Sequence, residues 1–348
     1  MKKRIIGLDI LRDIGVVFIF FYHFFVEYTI SGNGPDPSIN GYTYFFNILA
    51  RPASLFLFII SGYALMYNHE DEISLVKYYK RRFKGLFIPF YVAYTIMFLI
   101  CFLVNGEVVG HSLPISRFIL TLIGMDGVTQ LVVFNFYLIG EWFMSCIVIC
   151  YLLFPLLAKL LKKFKYITLA AMMAWYVYLL YIHNPFAFTQ LMNPLFVMVY
   201  FYIGMFLHEV FGEKAVPKAF KNTCAVLSVL IFVYFILIGF VPSMAFLKLG
   251  QEQSEIIYFV ISMTMLIALR DVEISPEKNS YKFITYLSGI SWFIILTHHR
   301  IMILFYSKMN IQNFAHREIF ALMLVCMACT WIASIIVRDL SSKLKKLL

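Results

Sequence analysis

Apolar residues run along this chain in stretches of about 20, separated by short polar segments. The pattern predicts ten membrane-spanning helices, over 10–29, 45–66, 86–104, 142–161, 166–182, 194–211, 222–241, 255–270, 284–306 and 318–337. Each run is long enough to cross a hydrocarbon layer of roughly 30 Å. A shorter apolar piece, RFILTLIGM at 117–125, reads as an interfacial segment. An even count places both termini on one side. Connections are short except 29–44 and 105–141. The first holds SGNGPDPSING and reads as an irregular loop, the second as a re-entrant or lid segment. The expected fold class is all-α, a polytopic integral membrane protein forming a single domain over 1–348. No internal repeat shows, and the paired broken helices that often mark inverted-repeat transporters are not found. A cleavable leader is not expected, because the first apolar run is long and lacks a small-residue cleavage site.

Composition agrees: 62% of residues are hydrophobic and 14% charged. The 29 Lys and Arg residues are sorted by side. Segments on the N-terminal side carry 22 of them, whereas the opposite side holds Arg117, Lys248, Lys308 and Arg317. By the positive-inside rule both termini are cytoplasmic. The net charge of +10 is therefore a topology signal, and nucleic-acid binding is set aside. All six cysteines fall in or beside spans, and Cys326-x-x-Cys329 lacks a second ligand pair nearby, so small interior residues are favoured over a metal site.

Arg12, Arg51 and Arg300 lie in or at the ends of spans. Ionisable groups inside a bilayer are costly and mark function by default. In the first span Arg12 and His23 are eleven residues apart, close to three helical turns, so they share a face, with Val16 and Ile19 between them and Glu27 beyond. Arg12 alone reads equally well as a snorkelling cation. His23, roughly 20 Å above the start of the span, has fewer innocent explanations. Arg51, next to Pro52, reaches the depth of His23 on the second span, and Ser61-Gly62 follows further in, where Gly62 reads best as close helix packing. Glu141 and Trp142 open the fourth span at the outer interface, where Trp142 suits an aromatic belt and Glu141 suits either solvent or a site. The ninth span brings His298, His299 and Arg300 to the same level. Adjacent helical residues diverge by about 100°, so at most one of the two histidines should face a given site. The inner loop KYYKRRFKGLFIP at 77–89 gathers five cations, which suits contact with anionic lipid or, alternatively, a phosphate-rich ligand.

These residues resemble the membrane-bound acyltransferase family 3, whose members O-acylate cell-surface glycans. LDILRDIGVVFIFFYH is similar to the family's opening span with its Arg12-x10-His23. FLFIISGYAL resembles the second-span Ser-Gly motif, KRRFKGLFIPFY the basic cytoplasmic stretch, and SGISWFIILTHH the late span ending in histidine. The likeness covers the full chain. It departs where the family's second loop arginine should stand: Gly85 follows Arg82 at that spacing, and Lys84 is the nearby cation.

The resemblance implies transfer of an acyl group, with acetyl expected, from cytoplasmic acyl-CoA to a hydroxyl of a surface glycan or lipid-linked sugar at the bacterial plasma membrane. No metal is expected. Arg12, Arg82, Lys84 and Ser61 would form the donor side. His23 would be the general base, with Glu141 orienting it and Arg51 or His298 stabilising the oxyanion; direct transfer and a covalent acyl-histidine both stay open. The rival readings are a polysaccharide or lipid-linked sugar transporter or flippase, with the same polar groups lining a path, and a membrane sensor or scaffold without turnover.

Overall fold

The computed structural model describes the chain except residues 1–2, 32–36, 70–73, 131, 183–191, 213, 312–313 and 348. Eleven α-helices order the described residues: α1 Ile6–Ile30, α2 Pro37–Asn68, α3 Leu75–Asn105, α4 Phe118–Leu122, α5 Asp126–Thr129, α6 Trp142–Tyr181, α7 Pro194–Phe211, α8 Lys218–Phe240, α9 Gln251–Arg270, α10 Asn279–Lys308 and α11 His316–Leu347. No strand occurs among them. Among the described residues eight helices are long and apolar enough to cross a membrane: α2, counted from Gly41, then α3 and α6 through α11. This is an all-α, multi-pass membrane protein.

All ten expected spans fall inside helices to within a residue, with the first in α1. The fourth and fifth share α6, a 40-residue element broken at Phe164 (φ −131°, ψ 41°). The break lies in LLKKFKYIT, where Lys162, Lys163 and Lys165 leave the apolar run. Lys165 Nζ donates to the carbonyl of Glu209 at 3.2 Å, fixing the corner.

Two expected loops are shorter than the sequence suggested. Only 32–36 of the segment 29–44 lies outside the described residues; α1 continues to Ile30 and α2 starts at Pro37. Proline suits a first helical position, because its missing N–H would have no partner there and its φ is already helical. The basic stretch 77–89 is not a loop but the opening turns of α3, with Ser74 at the N-cap position. Lys, Arg and Leu all propagate a helix well, which overrides the charge-based loop reading.

The chain divides into two compact units. The first comprises 1–22, 37–73 and 150–289, the second 23–36, 74–149 and 290–348. In the first unit α2 lies against α7 at a glycine crossing. A Cβ on Gly62 would fall 1.9 Å from the Phe201 carbonyl oxygen, and one on Gly204 equally close to that of Ile59. Small residues let helix backbones approach this closely, which replaces the missing hydrophobic drive inside lipid with dispersion contact. In the second unit α3 packs against α11. Gly106, left-handed at φ 66°, ends α3: its amide donates to the Phe102 carbonyl at 2.9 Å and the Glu107 amide to the Cys101 carbonyl at 3.4 Å.

Candidate active site

The histidines gather in the second unit. The His23 ring centroid lies 4.9 Å from that of His298 and 4.6 Å from that of His299. Both neighbours reach His23, contrary to the expectation that only one would. The reason is that a ring flanked by two diverging side chains can touch both; divergence along one helix excludes a shared direction but not a shared neighbour. The end of α1 is fixed here by Tyr306 of α10, whose hydroxyl donates to the Phe24 carbonyl at 3.0 Å. α10 is in turn tied to α11 by the Thr297 and Ser334 hydroxyls, 3.1 Å apart.

Hydrogen bonding sets two of the three tautomers. His298 Nδ1 lies 2.9 Å from the Ile294 carbonyl and 3.1 Å from that of Ile295. Carbonyl oxygens only accept, so Nδ1 carries the proton and Nε2 the lone pair. That Nε2 is buried and has no hydrogen-bond partner among the described residues. His299 Nε2 lies 3.0 Å from Glu27 Oε1. The carboxyl oxygen accepts there, so Nε2 carries a proton, and in the neutral ring Nδ1 is the lone-pair nitrogen. It stands 3.7 Å from where a Cβ on Gly140 would lie.

Gly140 has φ 88°, the left-handed region that other residues enter at a cost. It belongs to a tight turn closed by the next residue. Glu141 accepts from the Leu138 amide at 2.9 Å and from the Ile139 amide at 3.1 Å. The carboxyl is 1% exposed, so the solvated reading of Glu141 is replaced by a buried one. Burial pushes it up to about 7 against the pull of those two amides. Asp126 of α5, fully buried, is pushed up to about 6, again by burial. Gly127 next to it abuts the backbone of Glu141 and Trp142, and its amide donates to Ser145 Oγ at 3.0 Å. The expected lid segment is thus a folded support beneath Glu141 and Gly140, organised around two buried carboxyls. Its piece 117–125 contains α4.

The remaining expected site residues are placed as follows. Arg51 pairs with Glu255, a carboxyl 1% exposed on α9, and stacks 6.0 Å from the Tyr258 ring centroid. Arg12 donates to Asp9 at 3.1 Å and to Ser288 Oγ at 2.7 Å, while Ser288 donates to Asp9 at 2.6 Å. Ser61 Oγ donates to the Leu57 carbonyl at 2.6 Å, one turn back in its own helix. Arg82 and Lys84 lie half-buried in the first turns of α3, with Arg82 5.7 Å from the Tyr78 ring centroid. Arg51, Arg12 and Ser61 belong to the first unit and engage partners there; the histidines, Glu141, Arg82 and Lys84 belong to the second.

Two neighbours of His299 are not evident from sequence. Glu27 extends the His23 stripe, and its i+4 spacing from His23 is the one sequence signal that links it to the cluster. Gly140 was invisible as a site neighbour, because nothing in a lone Gly-Glu pair announces a left-handed turn.

The acyltransferase domain family matches residues 5–337. The chain belongs to the acyltransferase family 3. No curated protein and no solved structure matches it. As an acyltransferase-3 protein it is a membrane acyltransferase, transferring acyl groups other than aminoacyl groups. Its three clustered imidazoles and the Glu27 carboxyl are groups of the kind that can accept and hold a proton.

Proposed function

We propose that this acyltransferase moves an acyl group, acetyl by preference, from acyl-CoA to a hydroxyl of a surface glycan or lipid-linked sugar, with His23 as general base. The observation that carries this reading is the packing of His23 between His298 and His299, with Glu27 bonded to His299. A sugar hydroxyl ionises far above neutrality, so it needs a base within hydrogen-bond reach at the moment of attack. The hydroxyl oxygen attacks the thioester carbonyl and its proton passes to His23. The carbonyl oxygen becomes an oxyanion in the tetrahedral intermediate. Collapse breaks the carbon–sulfur bond, and the departing thiolate takes the proton back from the imidazolium. The product is the acyl ester with free coenzyme A.

Glu27 replaces Glu141 as the supporting carboxyl, acting through His299, which it bonds and which packs on His23, whereas Glu141 is bound by two amides. Arg82 and Lys84 are retained as donor-side cations. Arg12 and Arg51 are read as positioning residues, since each is engaged by an acidic partner. The protein is placed in the bacterial plasma membrane with both termini cytoplasmic.

The test is His23→Ala in a strain producing the glycan, with glycan mass and export measured together. Loss of the acyl mass with export intact is expected. Export that stops while residual glycan stays fully acylated would instead establish the transporter reading.

A further inference from the structure

His298 holds an acceptor that nothing among the described residues uses. The residue is 4% exposed on α10, and its Nδ1 donates to the Ile294 and Ile295 carbonyls at 2.9 and 3.1 Å. Those bonds fix the ring against its own helix and leave the lone pair of the neutral imidazole on Nε2. Nε2 is buried and has no partner among the described residues. A buried polar atom without a partner is costly, and native structures rarely keep one. The neutral ring has no N–H left to offer, so in this form it does not hold an oxyanion. What it asks for is a donor.

The place of that lone pair narrows the choice of donor. The His298 ring centroid lies 4.9 Å from that of His23, edge to face. With His23 as the base, the attacking hydroxyl rests against His23 in the reacting complex. The acyl donor brings a carbonyl oxygen and a sulfur to that point, and neither of them donates a hydrogen bond. The acceptor does. On a sugar ring, the carbon next to the attacking one carries a second hydroxyl, about one hydrogen-bond length from the first. Two imidazoles in ring contact, one acting as base and one presenting a fixed lone pair, match two such hydroxyls. A hydroxymethyl group has no such neighbour, because the carbon beside it bears the ring oxygen.

We propose that His298 determines which hydroxyl is acylated: its Nε2 accepts a hydrogen bond from the hydroxyl adjacent to the attacking one. The acceptor is then a sugar with two neighbouring free hydroxyls, and the acyl group goes onto a secondary ring position. This rests on the acyltransferase reading above, with His23 as base.

The test begins with the glycan of the wild-type strain, its acyl position mapped by NMR, with a His23→Ala strain as the reference. The acyl group should sit on a ring carbon whose neighbour carries a free hydroxyl, and should be absent from the reference. An acyl group on a hydroxymethyl carbon, or on a position with no free hydroxyl beside it, overturns the proposal and leaves His23-dependent transfer standing. Equal acyl content in the two strains removes the functional reading, and this proposal with it.

A second arm assigns the contact to His298. Full-length protein in nanodiscs is assayed with acetyl-CoA and the acceptor fraction extracted from the His23→Ala strain. His298→Asn keeps an N–H for the two carbonyls but places no atom at the Nε2 position, whereas His298→Gln reaches it with an amide oxygen. The Asn variant should raise KM for the acceptor about tenfold or more with KM for acetyl-CoA unchanged, and the Gln variant should recover most of that loss. A rise in KM for acetyl-CoA instead, a fall in kcat alone, or equal losses in the two variants overturns the assignment. The glycan arm needs no His298 variant, so it decides by itself if His298→Asn does not fold.

Discussion

His299 and Glu27 are joined by one hydrogen bond, 3.0 Å from Nε2 to Oε1, between α10 and α1. The bond does two things: it puts a proton on Nε2 of His299, and it places a carboxyl group beside the three-imidazole cluster. Glu27→Gln keeps the length of the side chain but removes the charge. The expected outcome is a kcat lower by roughly 10- to 100-fold with KM for the acyl donor little changed, since a group that holds His299 against the base His23 acts on the chemical step. Steady-state kinetics on purified protein check this. A rise in KM with kcat unchanged would assign Glu27 to ligand binding instead.

The helices were legible because bilayer thickness forces long apolar runs, and the Arg12-x10-His23 spacing was legible because helical periodicity is rigid. His23, His298 and His299 therefore fall at one level of the membrane on helical arithmetic alone. The partners of the cations did not. Glu255 begins a span whose facing helix cannot be read from periodicity, so the sequence does not show that Arg51 pairs with it. Asp9 was visible, yet nothing in the sequence said that Ser288 would join it around Arg12. Pairing across elements distant in sequence is settled by packing, which no local pattern encodes. The Glu141 turn escaped for another reason: its organising feature is a backbone conformation at Gly140.

Gly140 offers a second test. Its φ of 88° disfavours any side chain, at a cost of about 1–2 kcal/mol for a non-glycine residue. A Cβ there would stand in ordinary contact, 3.7 Å from His299 Nδ1, rather than in collision. Gly140→Ala should therefore fold, melt a few degrees lower, and lose activity out of proportion to its lost stability. Thermal unfolding and acyl-transfer rate, measured on one preparation, separate the two effects. Activity falling only in step with the folded fraction would show that the turn does not position the histidine.

Glu141 makes stability depend on pH. Its carboxyl is held at about 7 when folded, against 4.5 ordinarily, chiefly by burial. The folded state thus binds more protons than the unfolded state between those values. The stabilising contribution is complete below about 4.5 and is lost as pH rises to about 7, by roughly 3 kcal/mol at most. Asp126, at about 6, acts in the same direction lower in the window. Glu141→Gln should flatten the decline of melting temperature between pH 5 and pH 7, leaving a shallower slope below about 6 from Asp126. An unchanged slope in the variant would rule out Glu141 as its source.

Arg51 separates a catalytic cation from a structural one. Its partner Glu255 is 1% exposed, so removing the guanidinium strands a buried carboxylate. Breaking a buried pair on one side costs about 3–5 kcal/mol, whereas removing both members is far milder. Arg51→Ala should therefore destabilise strongly, and Arg51→Ala with Glu255→Ala should recover most of the loss. If Arg51 only positions α2 against α9, the double variant regains acyl transfer along with its melting temperature. If Arg51 stabilises the oxyanion, stability returns but kcat stays down by roughly 100-fold or more. The double-mutant cycle read on both observables distinguishes the two, because the electrostatic role cannot be restored by deleting the partner.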